Sequence, residues 1–230
     1  MTNPSDPQLF HERMGKAFET ELSTYDTDRR LETLVTEFLR DVPLVGREAL
    51  DVGCGLGFFS EALGRRGANI TACDIGESLV ARTVALAGGR GVVGDATKLL
   101  ELFPPESFDL VVSSECIEHT SDPGAVIDGM SAVLRRGGWL SLSTPNILWW
   151  PIVAAASKLR LRSFNGYENF SSLGFLKSRI ERNGLRVVRT KGLHLFPFQL
   201  GMHDLSRAMD SRLQCMKLLM INFCVLAQKL

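Results

Sequence analysis

Two carboxylates and an imidazole fall within five residues at Glu115-Cys116-Ile117-Glu118-His119. If the chain is helical there, spacings of three and four bring Glu115, Glu118 and His119 to one side. Two acids and a histidine suit a hard or borderline divalent ion such as Mg²⁺, Mn²⁺ or Zn²⁺. The same His119 could instead act as a general base without any metal, taking the proton of a reacting group. The bland use of the array has Glu115 on a cofactor, Glu118 solvated and His119 packed under a sheet.

A second stretch prepares a ligand site rather than a reaction. Leu50-Asp-Val-Gly-Cys-Gly-Leu-Gly57 is an apolar run closed by alternating glycines, and residues 58–63 follow with helical character. A buried strand, a glycine turn and a helix start allow close backbone approach to a ligand, with amide N–H groups free at the helix N-terminus. A nicotinamide or flavin fingerprint would read G-x-G-x-x-G, but its third glycine position is Phe58 here. Glycines serving only the turn are the alternative.

The elements that must hold these groups follow from periodicity. Residues 69–74 and 91–95 read as strands that each end in an acid, Asp74 and Asp95. Residues 108–114, 139–144, 185–195 and 218–227 read as further strands, and 77–87, 123–134 and 173–183 as helices. Two helices are expected within 10–39, interrupted near residues 23–26. Tyr25, Arg29 and Arg30 are the side chains there that could face a ligand. Strands alternating with helices at this spacing imply an α/β fold, with a parallel sheet and helices on both faces. Ligands of such sheets bind beyond the carboxyl ends of the strands, where Asp51, Gly53, Asp74, Asp95, Ser114 and Glu115 fall.

In this order the motifs resemble the class I S-adenosylmethionine-dependent methyltransferases. The resemblance rests on residues 50–57, Asp74, Gly94-Asp95-Ala96 and Phe108-Asp-Leu-Val-Val112. It implies a Rossmann-like, seven-stranded, mostly parallel sheet with the last strand antiparallel, and S-adenosylmethionine as cofactor. Gly53, Gly55 and Gly57 would pass beneath the methionine and ribose parts, with Asp51 orienting the turn. Asp74, next to Ile75, would bind the ribose hydroxyls. Asp95 and Ala96 would meet the adenine, and Ser114 would complete the cofactor-binding set.

Ser114 through Pro123 is similar to the ubiquinone-biosynthesis O-methyltransferases, which methylate hydroxyls of polyprenylated catechol-like rings. Ser143-Thr-Pro-Asn146, Gly192-Leu-His-Leu-Phe-Pro197 and Ile221-Asn-Phe223 extend that likeness. The acidic array, with a further histidine, also resembles the metal site of small-RNA 3′-end methyltransferases. The resemblance makes Glu115, Glu118, His119 and His194 the candidate ligands of a divalent metal, with His203 as second choice to His194. Glu118 and His119 are the candidate catalytic residues. It implies methyl transfer to a small-molecule hydroxyl, catechol- or quinol-like. The rivals are O- or N-methylation of a sugar or secondary metabolite, and cofactor binding without turnover.

The chain reads as a single domain over 1–230, with a helical cap in 1–45 and a lid or acceptor insertion in 147–172. Trp149, Trp150, Lys158, Arg160 and Arg162 in that insertion suit either a lid or a peripheral contact with a membrane surface. Lys plus Arg and Asp plus Glu both number 26. A balance without a basic patch argues against nucleic acid as the partner. Five scattered cysteines without a CxxC pair, and a polar amino terminus, lead to an expectation of a cytoplasmic protein with no signal peptide.

Overall fold

The computed structural model describes residues 24–158, 168–196 and 201–230. The first of the two helices expected within 10–39, together with Arg160 and Arg162, lies outside them. Seven strands form one sheet in the order β3-β2-β1-β4-β5-β7-β6. They are β1 (Glu48–Val52), β2 (Asn69–Asp74), β3 (Arg90–Val93), β4 (Phe108–Ser114), β5 (Leu134–Pro145), β6 (Leu185–Leu193) and β7 (Asn222–Lys229). Strands β1 to β5 pair in parallel, while β7 runs antiparallel to both β5 and β6. The expected mostly parallel sheet with an antiparallel last strand is the fold observed. The order reverses between β1 and β4, so the crevice for a ligand opens beyond the carboxyl ends of those two strands.

Strand alternation explains the two-sided core. Leu50 and Val52 of β1, Val111 of β4 and Phe223 and Val225 of β7 are buried on one face. There they meet Ile127 and Met130 of α4 (Pro123–Val133), and Leu176 and Ile180 of α6 (Leu173–Arg182). Ala49, Leu110, Val112 and Leu226, one residue out of phase, turn to the other face. They pack with Phe59 and Leu63 of α2 (Phe58–Arg65) and with Leu34, Val35 and Leu39. Strands β1, β4 and β7 are thus apolar on both sides, as the centre of a sheet covered by helices requires.

The cap helix α1 (Thr24–Leu31) continues into a π-helical stretch, Glu32–Glu37, in which Phe38 N donates to Thr33 O. Its end is fixed by Arg66, whose guanidinium donates to the carbonyls of Val35, Leu39 and Val42. These carbonyls have no continuing helix to bond, and a cation suits the negative end of the dipole. Helix α3 (Glu77–Ala87) follows β2.

Several boundaries differ from expectation. Strand β5 begins at Leu134 rather than 139, because Leu134 pairs with Phe108 before the register shifts ahead of Trp139. Strand β6 stops at Leu193, since His194 takes a left-handed φ of 62°. Residues 214–219 form a 3₁₀ helix, so β7 starts at Asn222. Within the insertion, Trp150–Lys158 is a helix, α5, and α7 (His203–Arg212) follows β6.

Candidate active site

Beyond β1 the chain makes three left-handed residues in five: Gly53 at φ 72°, Gly55 at 50° and Gly57 at 89°. Gly53 N and Cys54 N both donate to Cys73 O, at 2.8 and 3.1 Å, which locks the turn to the end of β2. Asp51 lies beneath it, and its Oδ2 accepts from Ser60 Oγ of α2 at 2.7 Å. Burial pushes the Asp51 carboxyl up to about 7, with the nearby Asp74 charge adding to the shift and the Ser60 hydrogen bond opposing it.

That shift carries a pH signature. A carboxyl with a folded value above its ordinary 3.8 favours the fold while it stays protonated. Its stability contribution is full below about pH 4 and is lost as pH rises towards 7, by up to about 1.4 kcal/mol per pH unit. Asp51→Asn, which cannot ionise, should therefore gain on the parent protein across that window. Urea unfolding of both proteins between pH 4 and 8 measures the gap, and a gap independent of pH would refute it.

Asp74 closes the turn from the second strand. Its Oδ2 accepts from Gly55 N at 3.0 Å and its Oδ1 from Gly76 N at 2.9 Å. Ile75 is half-buried beside it. One strand further, Asp95 caps the 3₁₀ turn Ala96–Lys98, its Oδ1 accepting from Thr97 N and Thr97 Oγ1. Register places Val52 opposite Cys73 and Asp74 opposite Val93. The structure thus brings Gly53, Asp74 and Asp95 to one edge of the sheet.

The acidic array beyond β4 behaves differently from expectation. Glu115 has a left-handed φ of 51°, and only Ile117–His119 are helical, as a single 3₁₀ turn. The three side chains therefore do not share a side. Glu115 turns across the sheet, where Oε1 accepts from Ser143 Oγ at 2.9 Å and Oε2 from Asn222 Nδ2 at 2.7 Å. Glu118 points inward, 1% exposed, and accepts from Thr144 Oγ1 at 3.1 Å. His119 keeps 24% of its side chain exposed, with Nε2 at 3.8 Å from Glu118 Oε1. Burial raises the carboxyls of both Glu115 and Glu118, and their mutual repulsion adds to the rise at Glu118.

His194 is buried and engaged elsewhere. Its Nε2 lies 2.8 Å from Asp26 Oδ1, and its backbone N donates to Asp210 Oδ2 at 3.0 Å. His203 heads α7 with its ring stacked on Tyr25, centroids 3.9 Å apart. The expected ligand set of Glu115, Glu118, His119 and His194 is therefore corrected. No group of three or more His, Cys, Asp or Glu side chains that could hold a metal exists among the described residues. The helical spacing expected for Glu115, Glu118 and His119 is broken by the left-handed Glu115.

Around these groups runs a polar network that sequence spacing did not show. Arg30, buried in the cap helix, donates from Nη1 to Ser114 Oγ at 2.8 Å and from Nη2 to Asp26 Oδ2 at 3.0 Å. Ser114 Oγ is 3.1 Å from Ser143 Oγ, which in turn meets Glu115. Burial opposes ionisation of Asp26, but Arg30 and His194 outweigh it and hold the carboxyl down at about 2. Arg29 pairs with Asp210, a buried acid that also accepts from His194 N and Leu195 N. Asp26 and Asp210 carry no sequence signal of their own, while Ser143, Thr144 and Asn222 lie in motifs whose residues had no assigned role.

The insertion after β5 forms a rim. Asn146 Nδ2 donates to the carbonyls of Leu218 and Met220, and Trp149 Nε1 to that of Leu219. Ile147, Leu148, Trp150 and Ile152 remain exposed there. No described helix is long and apolar enough to cross a membrane.

Comparison with known proteins bears on this site. A family model described as a methyltransferase domain matches residues 50–142. A ubiquinone biosynthesis O-methyltransferase from Bordetella avium (strain 197N) is 34% identical over 164 residues, 67% of this chain and 68% of the relative. One from Xylella fastidiosa (strain 9a5c) is 34% identical over 168 residues, 69% and 68% respectively. Among solved structures, magnesium protoporphyrin IX methyltransferase from Synechocystis PCC 6803 with bound SAH superposes with a TM-score of 0.68. It is 17% identical, covering 98% of this chain and all of that one (100%). An S-adenosylmethionine-dependent methyltransferase from Mesorhizobium loti gives 0.65 at 19% identity, covering 86% and 95%. At these identities the solved structures speak for the fold.

Proposed function

This chain belongs to the ubiquinone biosynthesis O-methyltransferase family, S-adenosylmethionine-dependent enzymes, and from that premise we propose that its acceptor is a catechol- or quinol-like hydroxyl on a lipophilic small molecule. The observation that carries the acceptor reading is the likeness to relatives of that name. The partly exposed His119, in the 3₁₀ turn that follows β4, supports it from the geometry. The rim of Ile147, Leu148, Trp150 and Ile152 supports an acceptor with an apolar tail, received as by a lid, with a membrane surface as a second use of the same rim.

In this reading the donor lies along Gly53, Gly55 and Gly57, with Asp51 beneath the turn. The ribose hydroxyls face Asp74 and Ile75, the adenine faces Asp95 and Ala96, and Ser114 closes the donor's methyl end. The acceptor oxygen attacks the methyl carbon in line. The carbon–sulfur bond breaks with its electrons left on sulfur, giving S-adenosylhomocysteine. The hydroxyl proton passes to the His119 imidazole, whose Nε2 lies 3.8 Å from Glu118 Oε1. Positioning of donor and acceptor supplies much of the remaining acceleration. No step is routed through a metal: Glu115 is held by Ser143 and Asn222 and His194 by Asp26, so the four expected ligands do not form one cluster.

The test is methyl transfer from S-adenosylmethionine to paired catechols with and without a prenyl tail, with products identified by mass spectrometry. O-methylated catechol is the expected product, formed faster from the tailed substrate. Transfer to amines but to no hydroxyl would sink the acceptor, and indifference to the tail would sink the rim's role. His119→Ala should lower kcat by about 10²- to 10⁴-fold with cofactor affinity kept. An unchanged kcat would move the base elsewhere.

A further inference from the structure

We propose that Arg30 is the built-in cation of the acidic cluster at the ends of β4 and β5, so that a guanidinium from the cap helix fills the role a divalent ion would have there. The inference goes beyond the acceptor reading and does not depend on it.

Three acids converge on this corner from separate parts of the chain: Asp26 in the cap, and Glu115 and Glu118 after β4. Carboxylates withdrawn from water need a compensating charge, because desolvation alone costs several kcal/mol per ion. Arg30 supplies it. Its Nη2 pairs with Asp26 Oδ2 at 3.0 Å. Its Nη1 reaches Glu115 through two hydroxyls, Ser114 Oγ at 2.8 Å and then Ser143 Oγ, which lies 2.9 Å from Glu115 Oε1. The guanidinium also lowers the carboxyls of Glu115 and Glu118 against the effect of burial, and they in turn raise its own proton affinity.

Helix geometry pre-sets this arrangement. Asp26 and Arg30 are four apart on α1, so the pair lies on one face of the helix. His194 takes the other Asp26 oxygen at 2.8 Å, and Asp210 holds the left-handed His194 backbone in place. A divalent ion entering this corner would have to displace the guanidinium or face its charge at close range in a poorly screened site. Arg30 is thus a positioning residue: it reaches Glu115 through Ser114 and Ser143, and acts on Glu118 only through its charge.

The experiment compares the parent chain, Arg30→Met, Arg30→Lys and Arg30→Met/Glu118→Gln. Each is melted without cofactor in EDTA and in millimolar MnCl₂, and bound metal is counted by elemental analysis. The parent should melt at the same temperature in both solutions. Arg30→Met should lose on the order of 10 °C in EDTA, as removal of one partner of a buried charge cluster does in a chain of this size. Arg30→Lys should keep most of the parent's stability. Adding Glu118→Gln to Arg30→Met should restore a large part of the loss, and Mn²⁺ should raise the melting temperature of Arg30→Met alone. Should Arg30→Met fail to fold, the lysine and double variants carry the test. Mn²⁺ stabilisation of the parent, or stoichiometric metal bound by the parent, would overturn the proposal. So would an Arg30→Met loss that neither Glu118→Gln nor Mn²⁺ reduces.

Discussion

Gly53→Ala should bring S-adenosylmethionine binding to the edge of detection while leaving a folded, less stable chain. Two penalties add at this position. Gly53 has φ 72°, a conformation that costs an L-residue roughly 1–2 kcal/mol. An added Cβ would also stand 2.4 Å from Cys116 Sγ and 2.6 Å from Cys116 Cβ. The contact can be relieved only by moving the segment after β4 or the turn itself, at an overpacking cost of about 1–3 kcal/mol. If that cost falls on the bound geometry, affinity drops by roughly 100-fold or more. Titration calorimetry with a parallel thermal melt separates affinity from stability. Cys116→Ala should not rescue the variant, because the contact to the Cys116 Cβ survives. Cys116→Gly should recover the steric part and leave the dihedral part. A Gly53→Ala protein that binds as the parent does would place the cofactor elsewhere.

Asp74→Ala should weaken the cofactor by about 100-fold and also lower stability, since two structural jobs end on one carboxylate. Gly55 N and Gly76 N donate to its two oxygens at 3.0 and 2.9 Å. Each donor left unsatisfied costs about 1–3 kcal/mol. The turn that loses its Gly55 anchor is the same turn that presents the amides to the ligand. Asp74→Asn should fall between the two proteins: one carbonyl oxygen can still accept, while the amide NH₂ meets the other backbone N–H head on. Comparing the dissociation constants of the three proteins checks the order. Equal constants for Asp74→Ala and the parent would remove Asp74 from the site.

The glycine turn and the acids at the ends of β2 and β3 were legible because their determinants are local. A strand, three glycines at alternate positions and an acid at the end of each following strand are set by neighbours in sequence. The parallel pairing of β1, β2 and β3 then carries Gly53, Asp74 and Asp95 to one edge without further information. Strand limits were less legible where a single residue breaks the pattern, as His194 does at the end of β6.

The acceptor half was decided by tertiary structure. Glu115, Glu118 and His119 announce chemistry by type and spacing, yet their directions hang on one left-handed dihedral at Glu115. No hydrophobic period encodes that dihedral. His194 pairs with Asp26 from 168 positions away, and Asn222 reaches Glu115 across 107. Partners that distant meet only once the sheet and the cap helix are packed. The sequence by itself therefore determined the fold and the cofactor class, through the strand–glycine turn–helix pattern and the order of the motifs. Packing of the cap against β4, β5 and β6 decided that Arg30 meets Ser114 and that Asp26 meets His194, contacts that no local pattern encodes.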